Sequence, residues 1–450
     1  VTDHQPRQRG ARAFLLRYPR AVFLVVVLLL ASTAAAIGAT VVDAGAGTRA
    51  SAAADPRCTA PDLAAHWSAG QLFLDARSVR SGASVLAHRA DEPTQTGSTM
   101  KLLTAAAAVT TLGPDHRFTT TVVAGTAPDA VVLVGGGDPT LSRLPTGQDG
   151  VSPGAPHLDD LARQVVASRA GLPPVRVVQV DTDLFDGPAW NPTWPESART
   201  SGSVSNITAL MVDGDRDDPT DAYSMRSSAA VSRAATAFAA LLGPEVQVET
   251  VSVPVPADAE PLGTVRSAPV ADLVATLLTH SDDTLAEVLA RHVAIAEGTG
   301  RSFAAIQAGT TKALRDTGIP TADLRLVDGS GLSGEDRVPA SAMTALMRVV
   351  ATHGHGLAPV DAGLAVAGRT GTLGEHGRFS GAAREARGHV RGKTGTLDDM
   401  FGLTGVTDEV DGDRIAFTVF AEGTADPAAR QEIDALAAAL WRCGGRATTH

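Results

Sequence analysis

The chain has 450 residues, a formal net charge of −11 and 44% hydrophobic content, a composition of folded proteins with length enough for two domains. Acidity argues against a nucleic-acid partner, because no basic patch occurs beyond the first twenty residues. Neither a Cys-x-x-Cys nor a cysteine–histidine cluster occurs, so no metal site is expected.

Residues 1–20 carry Arg7, Arg9, Arg12, Arg17 and Arg20, and precede an uncharged run over 21–42 rich in Val, Leu and Ala. About twenty apolar residues suffice to span a bilayer, and arginines ahead of them keep the N-terminus cytoplasmic. Residues 21–42 are therefore expected to engage the membrane, as a retained anchor or as the apolar part of a signal. The small residues Ala50 to Ala54 offer a cleavage site for the second alternative. In either case the rest of the chain is expected outside the cytoplasm, at the extracytoplasmic face of the plasma membrane or in the wall. Residues 43–56 read as an Ala/Gly-rich linker. In an oxidising compartment the two cysteines, Cys58 and Cys443, are expected to form one disulfide, the alternative being two buried thiols.

Past the linker, 61–69 reads as a short helix and 71–76 and 84–87 as strands. Residues 98–112 read as a buried helix, since Met100, Leu102, Leu103 and Ala105 to Val109 leave almost no polar face, and Gly113-Pro114 ends it. Strands follow at 118–124 and 131–134, closed by Gly135-Gly136-Gly137-Asp138-Pro139. The Pro/Gly-rich stretch to about 268 holds helices at 158–168 and 229–242 and strands at 175–180 and 246–253. Helical periodicity is dense at 270–278, 284–296, 303–314 and 340–350. The chain closes with strands at 389–394, 402–406 and 415–420 and a helix at 427–440. This order fits an α+β fold: a catalytic domain made of 57–125 and 266–445, split by an inserted α/β region over 126–265.

Lys and Arg together number 38, and only Lys101, Lys312 and Lys393 are lysines. A chain that otherwise uses arginine keeps lysine where arginine fails, and an arginine cannot give up its proton. Lys101 closes Ser98-Thr99-Met100-Lys101, which puts the serine at a helix start and the lysine one turn along on the same face. Backbone amides there are unpaired and favour an oxyanion. Lys393-Thr394-Gly395-Thr396 ends a strand, where a glycine admits a substrate backbone and hydroxyls and an ammonium bind a carboxylate. Arg369-Thr370-Gly371-Thr372 has the same shape but begins with arginine in a loop, and the lysine copy is preferred. Trp190 and Trp194 read as packing, and His353-Gly354-His355 as a loop.

Ser-x-x-Lys followed by Lys-Thr-Gly resembles the signature of penicillin-binding proteins and serine β-lactamases. With Gly135 to Leu141, Asp328 to Ser333 and the long insertion, the chain resembles the D-alanyl-D-alanine carboxypeptidase/endopeptidases of low-molecular-mass class C (peptidase S13-like). The resemblance implies a transpeptidase-type domain, an antiparallel sheet flanked by helices. It implies peptidoglycan stem peptides as substrates, β-lactams as inhibitors and no cofactor. Ser98 would attack the penultimate carbonyl with Lys101 as base, and the amides of Ser98 and Thr396 would hold the oxyanion. Ser281 would relay a proton to the leaving D-alanine, while Lys393, Thr394 and Thr396, with Gly395 between them, bind the terminal carboxylate. The middle motif departs from the pattern: Ser281-Asp282-Asp283 carries aspartate where the family has asparagine. Asp283 can accept from Lys101 but cannot donate to substrate when ionised, which motivates one competing reading, a silent wall-binding protein; a serine β-lactamase or esterase is the second enzyme reading. A neighbouring arginine that supplies the missing donor would compensate.

Overall fold

The computed structural model describes residues 59–256, 258–374 and 377–444. The run 21–42, the linker and Cys58 lie outside the described residues, among which no helix is long and apolar enough to cross a membrane.

In chain order the strands are β1 (Gln71–Ser78), β2 (Ser84–His88), β3 (Pro93–Thr94), β4 (Thr119–Ala124), β5 (Ala130–Val134), β6 (Val177–Asp181), β7 (Gln247–Ser252), β8 (Pro261–Arg266), β9 (Val338–Pro339), β10 (Ala365–Val366), β11 (Val390–Leu397), β12 (Met400–Thr407) and β13 (Ile415–Glu422). The longer helices are α1 (Lys101–Leu112), α2 (Leu158–Ser168), α3 (Ala230–Leu242), α4 (Val270–His280), α5 (Asp283–Ala296), α6 (Ile306–Leu314), α7 (Ala340–Ala351) and α8 (Ala429–Cys443). Among the described residues, one sheet has six strands in the order β10-β11-β12-β13-β1-β2, all antiparallel. A second has five in the order β7-β6-β5-β4-β8, parallel at β5/β6 and β6/β7.

The larger sheet is covered on both faces, which is why β12 and β13 are buried at almost every position rather than at alternate ones. Phe73, Met400, Val406 and Phe420 face a core shared with α1, α4, α5 and α7. Leu72, Leu74, Leu403, Phe417 and Val419 face the opposite core, against Leu436, Ala437 and Leu440 of α8. Burying an aromatic such as Phe420 fully contributes about 1.5–3 kcal/mol. The smaller sheet buries Val122, Leu133, Val178 and Val180 against α2 and α3. The α+β expectation, an antiparallel sheet flanked by helices, describes this molecule.

Four strands were not legible: the two-residue β3 and β9, which pair with each other, and β8 and β10. β8 begins with Pro261 and contains Gly263, both of which weaken a strand pattern, and it forms by pairing with the open edge of β4. β10 is two residues long and exists through its bonds to β11. The helix expected from residue 98 begins instead as a 3-10 turn over Gly97–Met100 before α1 proper.

Candidate active site

α1 is buried along its first nine residues, and its run Ala105 to Ala108 is fully enclosed against α4, α5 and α6. A lysine in such a helix is out of water, which is costly unless partners accept its N–H bonds. Lys101, 0% exposed, has three: its Nζ lies 2.7 Å from Ser98 Oγ, 2.5 Å from Asp283 Oδ1 and 2.9 Å from the Ser330 carbonyl. A neutral amine has two N–H donors and one lone pair. Here Nζ donates to all three; once the ammonium has given up one proton, Asp283 and Ser330 can keep the two remaining donors and the lone pair faces the Ser98 hydroxyl. The geometry is that of a base beside a nucleophile.

Ser98 stands where three backbone segments meet at close range. A Cβ on Gly97 would lie 2.7 Å from Thr396 N, one on Gly395 would lie 2.3 Å from the Thr96 carbonyl, and Gly331 presses on the Gly97 carbonyl. Glycine at 97 and 395 is thus what lets β11 lie beside the Ser98 turn. It also brings the Thr396 amide next to Ser98.

Ser98 opens onto a cavity of about 310 Å³, lined also by Ser281, Asp283, Thr394 and Thr396, and the other lysine lies behind Ser281. Lys393 is also 0% exposed, and its Nζ donates to Ser281 Oγ at 2.8 Å and to the Thr394 carbonyl at 3.0 Å. Ser281 sits between α4 and α5 in the left-handed region, φ 58°. Thr394 is buried, and its hydroxyl meets that of Thr372 at 2.8 Å. The arginine-led copy of the motif therefore does reach the site, through its last threonine on a 3-10 turn (Gly371–Leu373) rather than through a strand. Thr396 is exposed to the cavity.

Asp283 opens α5, and burial pushes its carboxyl up while the Lys101 charge pulls it down. The arginine that might have compensated it pairs elsewhere. Arg216 Nη2 donates to Asp282 Oδ2 at 2.6 Å, with both side chains almost sealed from solvent.

Behind Lys101 lies a buried acidic cluster. Glu287 accepts from the amides of Gly329 and Ser330, at 3.0 and 2.7 Å. Asp328 accepts from the amides of Ser330, Gly331 and Ser333 and from the Trp194 indole at 2.8 Å. These bonds hold the Ser330 carbonyl on Lys101. Burial, then the charge of Asp328, pushes Glu287 well above the usual carboxylate range. Trp194 also packs edge-on against Trp190 and Phe303, so its role is packing, as expected, with a hydrogen bond to Asp328 added. The block Asp328 to Ser333 was visible as a recurring segment. Its contact with Lys101, and the roles of Glu287 and Arg216, had no signal in the sequence, whereas Thr372 was visible only as part of the arginine-led motif.

Among the described residues no group of three or more His, Cys, Asp or Glu could hold a metal ion. Cys443 is buried at the end of α8 and engaged.

The D-Ala-D-Ala carboxypeptidase 3 (S13) family model matches residues 61–220 and 217–442. The chain is similar to a carboxypeptidase of Mycobacterium tuberculosis, 39% identical over 359 residues, covering 79% of this chain and 76% of that one. It is 37% identical over 366 residues to carboxypeptidase DacB of Mycolicibacterium smegmatis, covering 81% and 79%. In fold it is similar to penicillin-binding protein 4 of Haemophilus influenzae, with a TM-score of 0.70 at 19% identity over 85% of this chain and 98% of that one.

Proposed function

The chain belongs to the D-Ala-D-Ala carboxypeptidase 3 (S13) family and is a serine-type D-Ala-D-Ala carboxypeptidase, and we propose that it acts on peptidoglycan stem peptides through an acyl group on Ser98. The observation that carries this reading is the pair of buried lysines, each within hydrogen-bond reach of a serine, with both serines lining one cavity.

In the proposed reaction Ser98 Oγ gives its proton to Lys101 Nζ and bonds to the carbonyl carbon of the penultimate D-alanine. The amides of Ser98 and Thr396 hold the oxyanion. Ser281 passes a proton to the nitrogen of the terminal D-alanine as the C–N bond breaks, and Lys393 sustains Ser281 in that transfer. Thr394 and Thr396 receive the terminal carboxylate. Water then attacks the acyl-Ser98 carbonyl and returns the serine. Penicillins would open on the same serine and stay there.

This substrate places the enzyme in the cell envelope, and the basic-then-apolar start of the chain is proposed as its export or anchoring segment. A catalytic domain split by an insert is supported by strand membership, since β1, β2 and β10 to β13 build one sheet and β4 to β8 the other; β4 (Thr119–Ala124) moves the start of the insert ahead of the expected residue 126. Export makes a Cys58–Cys443 disulfide the proposed state of the cysteines. Two free thiols in the denatured, unreduced protein from its native host would refute it.

Labelled penicillin tests the central reading. A single adduct by intact mass, mapping to Ser98 and lost in Ser98→Ala, is expected, together with release of D-alanine from a peptide ending in D-Ala-D-Ala. A stoichiometric adduct on Ser98→Ala would overturn it, and rapid turnover of a chromogenic cephalosporin would point to a β-lactamase.

A further inference from the structure

Ser281 adopts a backbone conformation that serine seldom takes, φ 58° and ψ 38° at the C-terminal end of α4, and yet its Oγ is aimed at Lys393. Left-handed non-glycine residues persist where their surroundings over-determine them. The next residue supplies that constraint. Asp282 caps α5, with Oδ1 accepting from the Leu285 amide at 2.9 Å and Oδ2 from Arg216 at 2.6 Å. The Asp282 side chain is 7% exposed and that of Arg216 is 5% exposed.

Arg216 is in turn held from behind. Its Nη1 donates to the Asp213 carbonyl at 2.9 Å and its Nε to the Ala222 carbonyl at 3.3 Å. The segment before it runs through three consecutive residues of positive φ: Asp213 at 52°, Gly214 at 58° and Asp215 at 59°. A Cβ on Gly214 would sit 2.7 Å from Arg216 Nη1. The turn is fastened to the glycine-rich block: Asp213 N donates to the Leu141 carbonyl at 2.7 Å and Gly214 N to the Pro139 carbonyl at 2.6 Å. Arg226 donates to the Gly214 carbonyl, and Asp215 accepts from Ser227 and pairs with Arg233. So much strain and anchoring around a single guanidinium is out of proportion to an ordinary surface turn.

We propose that Arg216 is a positioning residue for the reaction: it clamps Asp282 and thereby holds Ser281 in the left-handed turn that presents its hydroxyl to Lys393 and the leaving group. The inference rests on Ser281 being the proton relay. A guanidinium suits the task because its planar fork donates in two directions at once, to the carboxylate ahead and to carbonyls behind, whereas an ammonium is a single point charge on a flexible stem. Burial works against an ionised Asp282, but the charges of Arg216 and Arg226 and the Leu285 amide bring it down to about 2, so the clamp stays ionic across the physiological range. The glycine-rich block thereby gains a role: it anchors the turn that aims Arg216.

The test is a double-mutant cycle on the full chain, reading the limiting rate of acylation by labelled penicillin and of D-alanine release. Arg216→Ala is expected to lower both limiting rates, by as much as roughly 10²-fold if Ser281 is displaced by an ångström, with the half-saturating concentration unchanged. Arg216→Lys should recover part of the loss. In a Ser281→Ala background Arg216→Ala should cost nothing more, because Arg216 acts through Ser281. If Arg216→Ala does not fold, Asp282→Asn keeps the cap acceptor, removes the ionic clamp and should show the same pattern. Additive losses in the two backgrounds would make Arg216 merely structural. A change confined to half-saturation would make it a substrate contact, and unchanged limiting rates in a folded variant would also overturn the proposal. Wild-type rates in Ser281→Ala alone would instead retire the relay reading, whatever Arg216 does.

Discussion

Ser98–Lys101 and Ser281–Lys393 are serine–lysine pairs of almost equal length, 2.7 and 2.8 Å, with both lysines fully buried, and they are assembled in opposite ways. The first is local: its partners are three residues apart at the entrance to α1, and the helical turn itself sets their separation. The second joins residues 112 positions apart, one on the strand β11 and the other in a strained link between two helices. A short-range pair inherits its geometry from one element. A long-range pair needs each side fixed independently, and here the fixing reaches through Asp282 and Arg216 to the glycine-rich block. The first pair also has Asp283 within 2.5 Å of its lysine.

The largest effect should come from breaking the local pair. Lys101→Arg removes the titratable base and forces a permanently charged fork into a site with no solvent access. Acylation by labelled penicillin should fall by about 10²–10⁴-fold, the range for loss of a general base. Near-normal acylation would show that another group activates Ser98. Breaking the long-range pair should cost less, because the nucleophile and its base remain. Lys393→Arg and Ser281→Ala are each expected to slow D-alanine release by roughly 10²-fold, toward the lower end of proton-transfer losses. Losses equal to that of Lys101→Arg would mean that the two pairs work as one unit.

Asp283 links the comparison to the family pattern. Asp283→Asn keeps an acceptor for Lys101, adds donors for the substrate and removes one charge from a neighbourhood that already holds Asp282 and Asp328. Acylation should rise by roughly two- to twelvefold, equivalent to one net hydrogen bond of about 0.5–1.5 kcal/mol. A fall would show that the carboxylate itself serves the lysine.

The smallest effect concerns stability in acid. His292 lies on α5, stacked on Phe118 with ring centroids 3.9 Å apart, and its Nε2 is 3.0 Å from the Gly137 carbonyl. Burial lowers its pKa to about 4, against the opposing pull of the Gly137 carbonyl. Because the folded value lies below the unfolded one, near 6.5, the stabilisation from the neutral ring is present above the unfolded value and is lost as pH falls through about 4. Allowing for partial exposure of the ring, on the order of 2 kcal/mol is at stake. Thermal unfolding should show the wild type losing stability between those pH values and a His292→Gln variant losing less. Parallel pH profiles for the two would exclude His292 as the acid-sensitive anchor of α5.

Much of this was legible because periodicity and punctuation are local properties. The apolar run from Met100 to Val109, the terminators Gly113-Pro114 and the β11–β13 runs each carry their own signal. β8 carried none, since Pro261 and Gly263 argue against a strand until β4 offers an edge. The arginine-led motif shows the same limit from the other side. Its letters match those of Lys393 to Thr396, but a 3-10 turn rather than a strand decides what it can do, and only Thr372 reaches the site.

By itself the sequence determined the first serine–lysine pair, the lysine-led strand motif, the long insertion and the aspartate at position 283, because spacing within one element and residue identity are written in the chain. Tertiary structure alone decided that Ser281 takes a left-handed turn, that Lys393 meets it, that Ser330 and Asp283 share Lys101, and that Arg216, among so many arginines, is the one on Asp282. Those contacts join residues from separate elements, and their distances are set by how the elements pack rather than by any period a sequence can carry.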